Sequence, residues 1–496
     1  MPKERAAGRA SATIGRQGCD EALPFCERCV AYGLDCEGYG SKRVAFRNQT
    51  QANTVSSKAV VMRAKPHVTI SLPSIALPAG QRSLLHDFIN GFASSRALSP
   101  VQNFYKDEIA PLAMEHEHVR SAILALTAAY TNNHRGAETF KSYQDAVQLF
   151  RLSLKDTANR QADLACMFIL TWFEILIFDP ENWKTHLKAA CSLINSCGAT
   201  LWGSSFGRNL IHSIARLDCQ NSISGRAAPI LDQKFYQLLE LDGGRDVNDS
   251  NMDSVAVGAC ERLYGIIGAT IYLNDEWMQS PMVDTEFQTR AFAIIQRLDT
   301  WYESLPKELH WSDDNNELSR RSHLQKMILL HYYSIKVHIF HMVDPLRLGL
   351  WNDSMVLARR CLLLIRAIGP PSKATQTDYK GDLGVPFAFA VVGVYFDDKE
   401  ERQWINDYLF ELGRDTVWCG YERAMCLRAW WQSSVSGKRL IMSRPKREDA
   451  PWDWKPEMGM NVGIVYEDLE TGNLGRDSYF LNGSQKELVL LPARQT

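Results

Sequence analysis

Residues 164–178 read LACMFILTWFEILIF, the longest apolar run in the chain, and the run stops at Asp179-Pro180. It is 15 residues long and includes Thr171 and Glu174. A helix that crosses a membrane needs about 20 predominantly apolar residues, so this run is too short for that role. A helix that is apolar nearly all round is typical of the centre of a large helical protein. The run therefore predicts a buried helix.

Apolar residues spaced by three or four positions predict amphipathic helices on both sides of this run. The clearest stripes are Val119, Ile123, Leu126 and Tyr130; Phe140, Tyr143, Val147, Phe150 and Leu154; and Trp183, Leu187, Ala190 and Ile194. Similar patterns recur in residues 259–276, 286–304, 320–342 and 354–368. Strand and helix patterns do not alternate, which disfavours a parallel-sheet enzyme fold. We predict an all-α protein.

The composition sets limits on the class of protein. The chain has 496 residues, of which 45% are hydrophobic and 23% charged, and its formal net charge is −2. These fractions are close to those of soluble globular proteins and disfavour a collagen-like or fully disordered chain. Because the net charge is near zero, a nucleic acid would have to bind at a local patch. Residues 1–18 contain no apolar segment typical of a secretory signal, so we expect an intracellular protein that does not contact a membrane.

The chain divides into four parts by composition. Residues 1–36 contain a cysteine cluster, and residues 37–80 form a basic, disordered linker in which no acidic residue follows Glu37. The basic side chains of the linker are equally consistent with phosphate contacts, a nuclear address or solvated disorder. A large helical domain is predicted over residues 81–440. Residues 441–496 have no predicted structure.

Four of the twelve cysteines lie within residues 19–36. Six residues separate Cys19 from Cys26, two separate Cys26 from Cys29, and six separate Cys29 from Cys36. Thiolates two residues apart can bind one metal ion from a single turn, and the flanking cysteines can complete a tetrahedron. Zinc suits four sulfur ligands. We predict that these four cysteines bind Zn²⁺, because disulfides would need an oxidising compartment that the sequence does not indicate.

The segment GCDEALPFCERCVAYGLDCEGYG, residues 18–40, resembles the fungal binuclear zinc cluster, the six-cysteine DNA-binding module of fungal transcription factors. Its cysteines match the third to sixth cysteines of that motif. The first two cysteines would lie near positions 9 and 12, where this chain has Arg9 and Ala12. The resemblance implies two zinc ions held by six thiolates. The four cysteines present here fit a single four-thiolate ion and do not suffice for two well-formed sites.

The N-terminal third of the module is therefore missing. Residues 9–18, RASATIGRQG, also lack the basic helix that reaches the DNA major groove in this family. Residues 1–36 contain five basic and five acidic side chains, so we expect this segment to bind DNA weakly by itself. Two explanations remain open. The first is a gene model with a wrong first exon or frame, which the abrupt start of the match at Gly18-Cys19 favours. The second is a degenerate member of the family.

The helical body resembles the fungal-specific transcription factor domain that follows such clusters. The resemblance covers residues 84–440 and is carried by FYKDEIAPLA at 104–113, VRSAILALTAAY at 119–130 and WKTHLKAACSLI at 183–194. It implies an all-α regulatory domain that restrains the activator and responds to signals or partners. No catalytic residue follows from the resemblance.

Other patterns compete with this interpretation. Residues 203–207, GSSFG, fit the G-x-S-x-G elbow of hydrolases, in which a strand delivers the serine, here Ser205, into a sharp turn before a helix. Helical patterns precede this stretch, so chance occurrence in a loop explains it better. His331, His338 and His341, with Asp344 nearby, fit a partly buried helix better than a metal site. Residues 115–118, EHEH, fit a solvated helix start better than a ligand set.

A second basic group lies near the C-terminus. It consists of Lys438, Arg439, Arg444, Lys446 and Arg447. The group is consistent with a nuclear address or a phosphate contact, but a charged surface loop explains the same composition more simply.

These observations lead to one main prediction and two alternatives. The chain is predicted to be a nuclear, zinc-dependent, DNA-binding fungal transcription factor that regulates RNA polymerase II transcription and has no enzymatic activity. Its expected partners are promoter DNA and the transcription machinery or co-regulators, with homodimerisation left open. The first alternative is a regulatory interaction protein that does not bind DNA directly. The second is an esterase-like hydrolase that uses Ser205.

Overall fold

The structure is a computed structural model, in which the chain divides into two units, residues 1–78 and 79–496. The cysteine cluster and residues 37–76 of the linker lie outside the described residues. The described residues are 77–96, 103–131, 136–155, 160–177, 180–197, 199–223, 228–242, 252–279, 283–345, 349–369, 384–415, 419–433, 438–446, 460–468, 471, 474–482 and 487–490.

The first half of the second unit is helical. The helices are α1 (Ala79–Asp87), α2 (Ala93–Arg96), α3 (Ala110–Glu115), α4 (Glu117–Thr131), α5 (Ala137–Ser153), α6 (Arg160–Leu176), α7 (Pro180–Cys197), α8 (Ala199–Trp202), α9 (Ser205–Ile223) and α10 (Gln233–Asp242). Two π-helical turns, Phe88–Phe92 and Tyr105–Ile109, precede α2 and α3.

Helices continue to residue 433. They are α11 (Met252–Gln279), α12 (Thr285–Glu303), α13 (Asn315–Arg320), α14 (His323–Val343), α15 (Trp351–Ile368), α16 (Gly384–Val392), α17 (Lys399–Asp415) and α18 (Cys419–Ser433). Short 3₁₀ turns lie at Lys307–Leu309 and Gly393–Tyr395. The predicted all-α class is therefore confirmed for this body of the chain.

Local capping explains where several of these helices begin. The Asp284 carboxylate accepts a 2.7 Å hydrogen bond from the backbone N–H of Phe287 at the start of α12. Ser322 and Gln325 form a reciprocal capping box at the start of α14. Such caps satisfy the backbone N–H groups that a helix leaves unpaired in its first turn.

The predicted buried helix at residues 164–178 is α6, and its side chains from Leu164 to Glu174 are buried. It packs against α4 and α7. Phe92 joins this group, because its ring lies edge-on to those of Tyr105, Tyr130 and Trp172 at centroid distances of 5.7, 5.7 and 5.8 Å. Aromatic pairs at this distance add stability beyond the area that they bury.

The stripe predicted through α5 is only partly buried. Ala146 and Val147 are buried, but Leu154 lies just beyond the last helical residue and is 40% exposed. The spacing of an apolar residue is a local property, whereas its burial depends on whether another element packs over it. The prediction that Leu154 continues the packed stripe is therefore wrong.

Helix α11 is the longest of the described helices, and it contacts α9, α10, α12 and α14. It is the one helix among the described residues that is long and apolar enough to cross a membrane, but 83% of its most apolar 18-residue window is buried within the protein. Such burial is typical of the core helix of a globular domain. The sequence predicted only its central part, residues 259–276.

The segment after residue 436, which the sequence left unassigned, contains a four-stranded antiparallel sheet. Its strands are β1 (Lys438–Lys446), β2 (Met460–Asp468), β3 (Leu474–Asn482) and β4 (Glu487–Leu490), in the order β1-β2-β3-β4. The register of β1 against β2 shifts between Leu440 and Met442, which leaves Ile441 as a bulge. Helix α18 packs against this sheet.

Two glycines allow α10 to approach α11 closely. A Cβ atom at Gly265 would lie closer than 3.0 Å to the backbone of Glu240, and one at Gly268 would lie equally close to the side chain of Tyr236. A clash with backbone is the more serious, because a helix backbone cannot rotate away as a side chain can. Gly265 therefore sets the distance between these two helices.

We expect Gly265→Ala to lower the free energy of unfolding by about 1–3 kcal/mol, the usual cost of overpacking a core. Urea unfolding followed by circular dichroism measures the change. Gly80→Ala is the matched control, since a Cβ there meets nothing within 4 Å. It should leave stability unchanged or raise it by up to ~1 kcal/mol through helix propensity. Equal stability of the two variants would contradict the packing described here.

Candidate functional site

The predicted zinc ligands Cys19, Cys26, Cys29 and Cys36 lie outside the described residues. Of the other cysteines, Cys166, Cys191, Cys219, Cys260, Cys361 and Cys426 are buried free thiols, and Cys197 is half-buried. Buried free cysteines of this kind pack as small apolar side chains. Within the part of the chain that the structure describes, no group of three or more His, Cys, Asp or Glu side chains is arranged to hold a metal ion.

Ser205 does not lie in a nucleophile elbow. It is the first residue of α9, and the short helix α8 precedes it where the elbow would need a strand. Its hydroxyl donates a 3.2 Å hydrogen bond to Oε1 of Glu108, which also accepts a 2.5 Å bond from Asn209. A general base would have to accept the serine proton for attack on an ester, and no histidine takes that place in the described contacts of Ser205. The arrangement joins α9 to the π-helical turn before α3.

Three buried histidines on two helices, α9 and α14, contact side chains of α11 in the core. His212 lies on α9, and His331 and His338 lie on α14, and all three are buried. We call them the buried histidine cluster. Nδ1 of His212 lies 3.6 Å from a carboxylate oxygen of Glu261 on α11. The ring of His331 shares a 3.3 Å hydrogen bond with the hydroxyl of Tyr264, also on α11.

The contacts of His338 fix its tautomer. Nε2 of His338 lies 2.9 Å from Oδ1 of Asn274, whose Nδ2 in turn donates a 3.1 Å bond to the backbone carbonyl of Ser222. Since the amide nitrogen already donates to Ser222, the amide oxygen must accept, and Nε2 of His338 must carry the proton. Burial lowers the pKa of His338 to about 3, with a further contribution from the nearby His341. The ring is therefore neutral at physiological pH.

His341 and Asp344 do not complete a metal site with His338. The His341 ring lies edge-on between Trp277 and Trp430, with centroid distances of 5.9 and 6.0 Å. The Asp344 carboxylate accepts backbone hydrogen bonds of 2.8 Å from Gly349 and Leu350. His341 thus contacts α11 and α18, and Asp344 binds the loop before α15. These contacts agree with the prediction that residues 331–341 belong to a partly buried helix.

A second buried carboxylate, Asp218 on α9, organises the chain before α10. It accepts hydrogen bonds from the backbone N–H groups of Ile230 and Leu231 at 3.0–3.1 Å and from the hydroxyl of Tyr236 at 2.7 Å. Burial raises the pKa of Asp218, and these hydrogen bonds oppose the rise. All its described contacts are donors from the protein itself, so it positions a loop rather than a substrate.

His118 makes a buried contact with Asp163 that the sequence did not predict. His118 was interpreted as part of a solvated helix start, but it is buried, and Nε2 lies 3.5 Å from Oδ1 of the fully buried Asp163. Ser153 also donates to Asp163. Burial lowers the pKa of His118, while the Asp163 charge opposes this change. The interpretation of His118 as solvated is wrong, because α6 covers it.

These polar groups share a structural role. Most of them join elements that are far apart in sequence. Asp163, Asn274 and Glu261 were missed in the sequence because a single polar residue in an apolar helix identifies neither its partner nor its burial. The only available signal was their occurrence within apolar runs, where a buried polar residue requires a partner.

Acid should destabilise the folded chain partly through His338. Its pKa of about 3 in the folded state lies below the value of about 6.5 in an unfolded chain. The unfolded state therefore binds more protons between these values, and stability that is present above pH ~6.5 is lost as the pH falls towards 3. We expect His338→Gln to reduce the slope of unfolding free energy against pH by up to about 1.4 kcal/mol per pH unit.

Chemical denaturation at intervals from pH 4 to 7 measures this slope. His86→Gln provides the control, since the side chain of His86 is 75% exposed. If the free energy of unfolding changes with pH at the same slope in the wild type and in His338→Gln, His338 is not held neutral by burial.

Comparison with known proteins places the whole helical body in one family. The model of the fungal specific transcription factor domain matches residues 83–460, about three quarters of the chain. No curated protein and no solved structure matches the chain. The match begins within α1, includes the buried histidine cluster and ends at the first residue of β2. The chain therefore belongs to the family of proteins with a fungal specific transcription factor domain.

Proposed function

We propose that this protein is a nuclear, zinc-dependent, DNA-binding regulator of RNA polymerase II transcription. The observation that carries the proposal is the match of residues 83–460 to the fungal specific transcription factor domain, downstream of four cysteines at zinc-cluster spacing. Neither the domain match nor the cysteine spacing alone identifies such a regulator as specifically as the two together. Together they stand in the order in which such regulators combine a DNA-binding module and a regulatory domain.

In this proposal Cys19, Cys26, Cys29 and Cys36 hold one zinc ion. Four thiolates satisfy a tetrahedral structural site, and the ion supplies the folding energy that so short a segment lacks. The residues at positions 9 and 12 cannot supply further thiolates, so a second zinc ion is not part of the proposal.

The helical body serves as the regulatory part of the proposed protein. Its buried polar contacts join α9, α11 and α14, and a change at one of these helices would be transmitted to the others through rigid packing. Co-regulators or a second copy of the chain are the partners that such a body would engage. Catalysis has no support from the surroundings of Ser205, where a helix precedes the serine and its hydroxyl donates a hydrogen bond to Glu108.

One alternative deserves a direct test because a specific observation favours it. Residues 1–36 have no net charge, and affinity for DNA depends strongly on cations that neutralise phosphates. A regulatory protein that acts through other proteins and does not bind DNA itself would also have this composition.

The zinc site can be tested on the full chain purified under reducing conditions. We expect one zinc ion per chain by elemental analysis, and loss of that ion in Cys29→Ser, because three thiolates no longer close the tetrahedron. Cys197→Ser, which changes a half-buried thiol outside the cluster, should keep the metal. A zinc content much below one ion per wild-type chain would contradict the proposed zinc site.

Selection from a library of random duplexes tests DNA recognition. The full chain should enrich a common sequence, and the double variant Cys26→Ser/Cys29→Ser should enrich none. A zinc-loaded wild type that enriches no sequence would favour the protein without direct DNA binding.

A further inference from the structure

A chain of hydrogen bonds runs through the core from α14 to the segment before α10. It begins at His338 on α14, which donates from Nε2 to Oδ1 of Asn274 on α11 at 2.9 Å. Nδ2 of Asn274 donates a 3.1 Å bond to the backbone carbonyl of Ser222, in the last turn of α9. Asp218, one turn earlier on α9, binds the backbone of residues 230 and 231. We call His338, Asn274, Ser222 and Asp218 the core relay.

Every member of the core relay is buried. Asp218 is 0% exposed, Asn274 1% and Ser222 2%, and His338 is buried as well. Because water does not reach these positions, a relay group that loses its partner stays unpaired in the core, which costs free energy. The bonds of the relay are therefore expected to form and break together rather than one by one.

The side-chain amide of Asn274 is the two-state element of the relay. An amide has an acceptor oxygen on one side and a donor nitrogen on the other, so its two orientations differ by half a turn. In the observed orientation the oxygen faces the N–H of His338 and the nitrogen faces the carbonyl of Ser222. The reversed orientation would place donor against donor at His338 and acceptor against acceptor at Ser222. The position of α14, which contains His338, therefore selects one orientation of this amide.

The bond from Asn274 satisfies a backbone carbonyl at the end of α9. The last carbonyls of a helix have no partner within the helix, and the final turn is held in place by whatever else binds them. Ser222 lies in that turn, and its hydroxyl also reaches Asp218, with 3.5 Å between Oγ and Oδ1. Loss of the bond from Asn274 therefore loosens the turn that joins Ser222 to Asp218.

Asp218 attaches residues 228–231 to α9. Its carboxylate accepts bonds of 3.0–3.1 Å from the N–H groups of Ile230 and Leu231, and Tyr272 of α11 donates a 2.9 Å bond to the carbonyl of Leu231. The side chain of Leu231 is buried, whereas Ala228 is exposed. The segment thus connects the core relay to the surface of the protein.

We propose that the core relay couples the position of α14 to the attachment of residues 228–231. A shift of α14 that withdraws His338 frees the amide of Asn274 to reverse, loosens the last turn of α9 and releases the segment from Asp218. The coupling is reciprocal, since two sites linked through one equilibrium affect each other by the same factor. The proposal deepens and rests on the regulatory role proposed for the helical body. Its test uses neither zinc nor DNA, so the relay and the DNA-binding function can fail separately.

Hydrogen exchange of the full chain, followed by mass spectrometry of peptides that cover residues 228–236, tests the relay. His338→Leu removes the donor to Asn274. Exchange at the amides of residues 230 and 231 should then be at least about tenfold faster, the size of effect expected when a buried hydrogen bond is lost. His338→Gln retains an N–H donor at this position and should restore exchange to within about threefold of the wild type.

His331→Leu is the matched control. His331 lies two turns before His338 on the same helix, is also buried, and contacts α11 through Tyr264, outside the relay. This variant should leave exchange at residues 230 and 231 within about threefold of the wild type, because the opening that it causes is local to its own contact. The amides of α6, which contains no relay residue, report general destabilisation. An equal acceleration in α6 and at residues 230 and 231 of His338→Leu would count against the relay.

Two further variants keep the test decisive. Asn274→Leu, of similar size, breaks both bonds of the amide and should accelerate exchange at residues 230 and 231 as His338→Leu does, so it also serves if His338→Leu does not fold. Asp218→Asn releases the segment directly, so adding His338→Leu to it should change exchange there by less than about threefold. If the effects of His338→Leu and Asp218→Asn multiply, or if His338→Leu exchanges like the wild type at residues 230 and 231, the proposal is wrong.

Discussion

Burial of α11 between four other helices is the constraint on which the rest of the helical body depends. A helix of 28 residues that is enclosed on most sides must place its polar side chains against partners from neighbouring helices, since an unpaired buried polar group costs several kcal/mol. Glu261 meets His212, Tyr264 meets His331, and Asn274 meets His338. These pairs determine which turn of α9 and which turn of α14 face α11. The apolar surface of α11 favours burial in many arrangements, and the polar pairs select one of them.

The described polar groups of this core are paired within the protein. The neutral His338 and the carboxylate of Asp218 both have partners within the protein, and neither points to a reacting group. The membership of the chain in a transcription factor family agrees with a structural role for these groups.

Binding of a polyanion, as proposed for this chain, would depend on local charge more than on net charge. The net charge of the whole chain is −2, and residues 1–36 have no net charge. Attraction to phosphate depends on local charge, because salt screens interactions beyond about 8–10 Å. The interpretation of the C-terminal basic group as a loop is wrong for its described members, because Lys438, Arg439, Arg444 and Lys446 lie in β1.

The sequence by itself determined the helical class, the central helix at residues 164–178, the positions of the main amphipathic helices and the likeness to the transcription factor family. These features follow from spacings of three and four residues, which act within a single helix. Only the tertiary structure decided that Leu154 is exposed, that His118 is covered by α6 and that His338 meets Asn274, 64 residues away. It also decided the register of the sheet. Such pairings join residues far apart in the chain, and the periodicity of one segment contains no information on which other segment will pack against it.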